Sequence, residues 1–162
     1  MAQLFANTNW GLIWTALGAA IVTMLAGTGS AIGVGKAGQS AAGVVAEAPE
    51  KFSKVLILQL LPGSQGIYGL IIAFLILSGS GILGGNAVIS GSEGFAYLMG
   101  ALPCAIGCLT SAVNQGKVAS SAISLVAKRD ECFGNGMTLA LMVETYALFS
   151  FLISLLIVTN IK

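Results

Sequence analysis

Glu144 stands in LMVETYALFSFLISLLIV (141–158), a run with no other charged side chain. Gln65 and Gln115 stand in comparable settings, LLPGSQGIYGL (60–70) and SAVNQGKV (111–118). A carboxylate inside an apolar stretch of this kind is costly, so it marks a place where an ion or a proton is handled. An amide there is costly unless it is paired. Around Gln65 the pattern Leu61, Ser64 or Gln65, and Tyr68 follows one helical face. Ser64 and Tyr68 bring hydroxyls to that face. Pro62 cannot donate to the carbonyl of Leu58, and this loosens the local ladder. Gly63 adds freedom and leaves space for an approaching side chain. Backbone carbonyls beside such a break can act as cation ligands. A carboxylate, two amide oxygens, a hydroxyl and a carbonyl suit a hard monovalent cation such as Na+, which favours oxygen ligands. A proton needs only the carboxylate and one or two partners. A third reading is a polar cluster that only holds helices together.

The rest of the chain says where these groups sit. Of its 162 residues 56% are hydrophobic and 8% charged, against about a quarter charged in soluble domains. This composition indicates an integral membrane protein. A net charge of +1 without a basic patch argues against a nucleic-acid partner. The absence of histidine removes Ser/His nucleophile pairs and histidine metal sites. No Lys or Arg precedes Lys36, so no cleavable leader is expected, and the first apolar segment should remain as a span.

Charges cut the chain into four apolar blocks: about 10–35, 55–82, 94–126 and 134–161. Each is long enough to cross a bilayer as a helix. The fold class expected is therefore an all-α membrane protein of four transmembrane helices. Glu144 lies ten residues from Gly134 and Gln65 ten from Val55, while Gln115 lies twelve from Ala127. At 1.5 Å per residue, ten residues are about 15 Å, near the middle of a membrane. All three then share one level, which points to a single site. Six of the seven Lys and Arg residues fall in 36–54 and 117–133. With four spans these two joints lie on one side, and the positive-inside rule places that side in the cytoplasm. Both termini and the turn at 78–94 then face outward.

The two joints also match each other. SAIGVGKAGQSAAGVVAEAPEKF (30–52) aligns without a gap on SAVNQGKVASSAISLVAKRDECF (111–133), an offset of 81. Identities include Ser30/Ser111, Gly35/Gly116, Lys36/Lys117, Ala41/Ala122 and Phe52/Phe133. The chain is thus two tandem helical hairpins, 1–81 and 82–162, in parallel orientation. Glu144 falls on Gly63 at this offset, so one copy holds a carboxylate and the other does not. Glycines crowd AGTGSAIGVG (26–35). Their spacing lacks the strand and the Lys-Ser/Thr of a phosphate loop, so close helix packing is the better account. Cys104 and Cys108 sit one helical turn apart. They could hold a metal, but they read more simply as small hydrophobes. Cys132 lies in a charged joint, and three cysteines imply no closed disulfide framework.

LILQLLPGSQGIYG (56–69), NQGKVASSAISLVAK (114–128) and MVETYALFSFLISLL (142–156) resemble the membrane-ring (K, proteolipid) subunit of V-type ATPases, in the bacterial sodium-pumping branch. The resemblance covers nearly the whole chain, including the duplication and the single carboxylate. It implies a ring of identical subunits turning against a static membrane subunit, driven by ATP hydrolysis in a peripheral head. Such a chain would be a non-catalytic part of that complex and would hold no nucleotide site. Glu144 would be the ion-binding carboxylate, with Gln65 and Gln115 as side-chain ligands and Leu61 as a backbone ligand. Ser64 stands where the sodium-pump pattern has threonine, keeping the hydroxyl and losing the methyl. Tyr68 would hold the glutamate when the site is closed. An arginine of the static subunit would favour ion release. The loops around Pro49–Lys51 and Lys128–Glu131 would meet the central stalk. The transported ion would be Na+, with H+ as the alternative.

Two other classes compete. A small four-helix exporter also couples one buried carboxylate to a cation, but its carboxylate lies in the first span and no hairpin duplication is expected. A channel-forming or structural proteolipid would not need Glu144 and two amides at one level.

Overall fold

The computed structural model describes residues 9–85 and 87–161. Residues 1–8, where no leader is expected, Asn86 in the turn expected to face outward, and Lys162 lie outside the described residues. The elements are α1 (Trp10–Glu47), α2 (Phe52–Leu60), α3 (Ser64–Gly79), α4 (Gly91–Lys128) and α5 (Phe133–Thr159). Short 3-10 turns at Pro49–Lys51, Leu61–Gly63 and Asp130–Cys132 join them. The turn at Leu61–Gly63 keeps α2 and α3 in one span, so four helical segments are long and apolar enough to cross a membrane.

Both long helices begin with a capped first turn. Asn9 Oδ1 accepts the Leu12 N–H at 3.0 Å, and Ser90 Oγ accepts the Glu93 N–H at 3.2 Å, each satisfying an orphan donor. α1 does not stop where its first charge appears. It runs through Lys36 to Glu47, well past the block boundary expected near residue 35. Residues 36–47 are mostly Ala, Gly, Val and Gln (KAGQSAAGVVAE), so no proline interrupts the helix there. The charge marks a change of surroundings, not the end of the helix. The stop comes from Pro49: the residue before a proline disfavours the helical region, and Ala48 has left it at φ −139° and ψ 75°. At the corresponding place after α4, Arg129 is extended.

α1 and α4 pack against each other most extensively, and glycines make that possible. A Cβ at Gly29 would run into the Leu109 backbone, and one at Gly33 into Ala112. Gly116 and Gly94 give the same clearance in return to Gly33 and Gly11. Gly27 and Gly35 face open space, so only part of the glycine-rich run serves the packing, where small residues let membrane helices approach. α3 lies on α1 and α5 lies on α4. The result is an inner pair flanked by two outer spans. α5 turns Met142, Phe149, Leu152 and Leu156 outward, as expected of a surface that faces lipid or further helices.

Two features fasten the ends and the middle. Lys51 Nζ donates to the carbonyls of Val126 (3.1 Å) and Ala127 (2.7 Å), orphan acceptors at the end of α4, a favourable place for a cation. Beside it Lys54 pairs with Asp130. Inside α4, Pro103 disturbs the ladder, and the Cys104 N–H donates instead to Ser154 Oγ of α5 at 2.9 Å. Cys104 and Cys108 are free and buried, with sulfurs 3.6 Å apart, in an apolar cluster with Ala101, Ala105 and Ala147.

Candidate functional site

The polar residues picked out in the inner and outer spans converge. Pro62 sits in the 3-10 turn between α2 and α3, and the turn re-aims the start of α3. Ser64 and Tyr68, one helical turn apart, then point at the same atom. Ser64 Oγ donates to Glu144 Oε1 at 2.6 Å, and Tyr68 Oη donates to Glu144 Oε1 at 2.7 Å. The other carboxylate oxygen, Oε2, accepts from Gln115 Nε2 at 3.2 Å. Three donors from α3 and α4 thus hold one carboxylate of α5. Among the described residues the one ion pair is Lys54–Asp130, so the carboxylate is held by neutral donors.

Behind Glu144 lies a second tier, fully buried. Gln65 Nε2 donates to Gln115 Oε1 at 2.5 Å, and both amides have no exposed surface. Gln115 Nε2 also reaches the carbonyl of Ala140 at 3.2 Å. The Gln65 carbonyl oxygen lies 3.3 Å from Ser64 Oγ. The Leu61 carbonyl lies 3.1 Å from the same hydroxyl and accepts the Ser64 N–H, while the Leu61 side chain packs away among Val55, Leu58 and Ile123. Sequence periodicity offered Ser64 or Gln65 for this face. The structure uses both, Ser64 on the carboxylate and Gln65 on the second amide. Tyr68 is braced from the far side by Phe151, with ring centroids 5.2 Å apart. No buried side-chain nitrogen or oxygen among the described residues lacks a partner, as a low-dielectric interior requires.

Two serines belong to this region and were not singled out by residue chemistry. Ser111 Oγ donates to the carbonyl of Val143, next to Glu144, at 2.9 Å, and lies 3.4 Å from Gln65 Nε2. Ser30 Oγ lies on the backbone of the Pro62 turn. One sequence signal pointed to them: they are an identical pair in the internal repeat.

Ser64 Oγ thus stands among Glu144 Oε1, the Gln65 amide oxygen and the Leu61 carbonyl, while Gln115 turns its nitrogen to the carboxylate and its oxygen to Gln65. A single negative charge among neutral oxygens would become neutral on taking up one monovalent cation or one proton.

The model of the ATP synthase C-subunit family matches this chain twice, over residues 17–76 and 98–157. The two matches are themselves 81 residues apart (98 − 17 and 157 − 76), the offset of the internal repeat. The K subunit of the V-type sodium ATPase of Enterococcus hirae is 43% identical over 160 residues, 99% of each chain. The K subunit of the A-type ATP synthase of Methanocaldococcus jannaschii is 37% identical over 150 residues, 93% of this chain and 64% of that protein. The 16 kDa proteolipid subunit of the V-type proton ATPase of Chrysotila carterae is 27% identical over 145 residues, 89% of this chain and 88% of that protein.

Proposed function

Because the chain belongs to the ATP synthase C-subunit family, we propose that it is the ion-carrying ring subunit of a V-type rotary ATPase and that its ion is Na+. The observation that carries this reading is a connected polar cluster at Glu144 that is larger than a proton needs. The Ser64 hydroxyl and the Gln115 amide bond the carboxylate, and the Gln65 amide and the Leu61 turn carbonyl stand directly behind them. Glu144, Ser64, Gln65, Gln115 and the Leu61 carbonyl are the ion ligands, and Tyr68 holds the carboxylate. The full-length likeness to a sodium ATPase subunit supports the same ion.

The mechanism follows from charge. Ionised Glu144 facing lipid is strongly disfavoured. With Na+ bound the site is neutral and passes through lipid as the ring turns. At the static membrane subunit a cationic side chain of that partner pairs with the carboxylate and releases the ion. Moving one unit charge against about 100 mV costs about 2.3 kcal/mol, which ATP hydrolysis in the peripheral head supplies. Each chain contributes two hairpins, 1–81 and 82–162, and identical copies stand side by side. The loops at Pro49–Lys51 and Lys128–Glu131 face the cytoplasm and meet the central stalk, on the side set by the positive-inside rule.

Carbodiimide labelling of the detergent-solubilised ring, read by peptide mass, tests the ion. These reagents attack a protonated carboxyl in an apolar setting. Labelling at Glu144 that Na+ suppresses is the expected result. Labelling indifferent to Na+ would leave a rotor that carries protons.

A further inference from the structure

The groups that the second span brings to Glu144 and to the tier behind it hang on one interrupted stretch. The Leu61 carbonyl, the Ser64 hydroxyl, the Gln65 amide and the Tyr68 hydroxyl all follow from how the chain leaves the Pro62 turn. A proline turn with a missing donor is a poor anchor by itself. Its anchor comes from another helix. Ser30 Oγ on α1 accepts the backbone N–H of Gly66 at 2.7 Å and donates to the carbonyl of Gly63 at 3.5 Å. One hydroxyl therefore spans the exit of the turn, tying residue 63 to residue 66 from outside. Ser30 is 8% exposed, so water is a poor substitute for it. Gly66 leaves room for the contact: a Cβ there would crowd Ser30 Oγ at 3.1 Å.

Ser30 touches none of the atoms around Glu144, yet its counterpart does the same work on the other outer helix. Ser111, 81 residues on, donates to the carbonyl of Val143. Gly63 and Glu144 are equivalent positions of the two repeats, so each serine holds the outer-helix backbone at or beside that position. The serine occurs in both halves, whereas the carboxylate occurs in one. That distribution fits a backbone-holding role and does not fit a ligand.

We propose that Ser30 is a positioning residue of the ion site, fixing the Leu61–Gln65 turn so that its oxygens are preorganised for the cation. The inference rests on the sodium reading above. It is tested on the intact ring by titrating Na+ protection of Glu144 against carbodiimide. Losing one buried backbone hydrogen bond that orders several ligands should raise the half-protecting Na+ concentration of Ser30→Ala about five- to tenfold, with labelling in the absence of Na+ unchanged. Thr23→Ala is the control on the same helix, since Thr23 only bonds back to the Ala19 carbonyl, and its midpoint should stay at that of the parent. A merely structural serine would lower ring yield or melting temperature without moving the midpoint, and that result overturns the proposal. If Ser30→Ala fails to assemble, Ser30→Cys keeps the shape with a weaker acceptor. Its midpoint must then rise as well, and an unchanged one overturns the proposal equally. A parent ring that Na+ does not protect would overturn the sodium reading, and this inference with it.

Discussion

The two halves of the chain share a scaffold and differ in what it holds. Around Glu144 the second half places Gln115 against the carboxylate at 3.2 Å. The positions 81 residues earlier are Gly63 and Val34, where a Cβ on Gly63 would meet the Val34 side chain at 3.7 Å. A charge–amide contact in one half is replaced in the other by a glycine beside an apolar side chain. The outer helices show the reverse imbalance. Leu61, Ser64, Gln65 and Tyr68 of the first half correspond to Met142, Thr145, Tyr146 and Phe149 of the second. Thr145 bonds back to the Met142 carbonyl at 2.8 Å, much as Ser64 lies on Leu61, but Tyr146 and Phe149 are 67% and 64% exposed. Neither half holds a complete site. One supplies the broken helix with its hydroxyls and Gln65, the other supplies the carboxylate and Gln115, and they meet once per chain.

The largest break in this division is Glu144→Gln. It keeps the shape and removes the charge, so ATP-driven uptake of radiolabelled sodium by the reconstituted complex should vanish while the ring survives electrophoresis without boiling. Transport by that variant would overturn the role given to Glu144. Moving the carboxylate to its counterpart, Gly63→Glu in the Glu144→Gln background, should not restore uptake. Position 34 has no amide to meet the new carboxylate, and an unmet charge at that depth is disfavoured.

Next come the amide and its counterpart. Gln115→Ala removes a donor to a carboxylate, and hydrogen bonds to charged groups are worth enough that the Na+ midpoint should rise about 10- to 100-fold. Val34→Ala deletes two methyl groups at the equivalent place and should leave that midpoint within about twofold, at a modest cost in stability. Equal shifts in the two variants would mean that the halves are not divided as described. Tyr68→Phe should raise the midpoint about three- to tenfold by removing one of two donors to Oε1. Phe149→Leu, its exposed counterpart, should leave it unchanged, as read by the same protection assay.

Much of this was legible in the sequence, for identifiable reasons. Lipid forbids unpaired backbone, so apolar blocks had to be helices, and the charged or glycine-rich breaks between them counted the spans. A lone carboxylate in such a block is conspicuous because its surroundings are uniform. Counting residues from the charged ends placed Gln65 and Gln115 beside it, and the structure brings these side chains together: Gln115 bonds both to Gln65 and to Glu144. The end of α1 was harder to read. The first charge, Lys36, lies inside the helix, and Pro49 decides where the helix stops. Ser30 and Ser111 were visible only as repeats. A serine on a small-residue face looks like packing until the partner backbone is known, and that partner comes from a turn in another span.

The smallest expected effect is the most discriminating about hydroxyls. Ser64 and Thr145 are equivalent in the repeat, and both hydroxyls lie on the carbonyl three residues back. Ser64 alone also reaches Glu144. Thr145→Ala therefore measures the local back-bond alone, which competes with the helix ladder and adds little. It should leave the Na+ midpoint within about twofold, since the net worth of such a bond is small. Ser64→Ala loses the same back-bond and the contact with the carboxylate, so its shift should exceed that of Thr145→Ala by about three- to tenfold. The ratio of the two midpoints isolates what the hydroxyl does for the ion from what it does for the helix. If Thr145→Ala shifts Na+ protection as far as Ser64→Ala, the exposed face of α5 would have to take part in the site, and the site would no longer be complete within one chain.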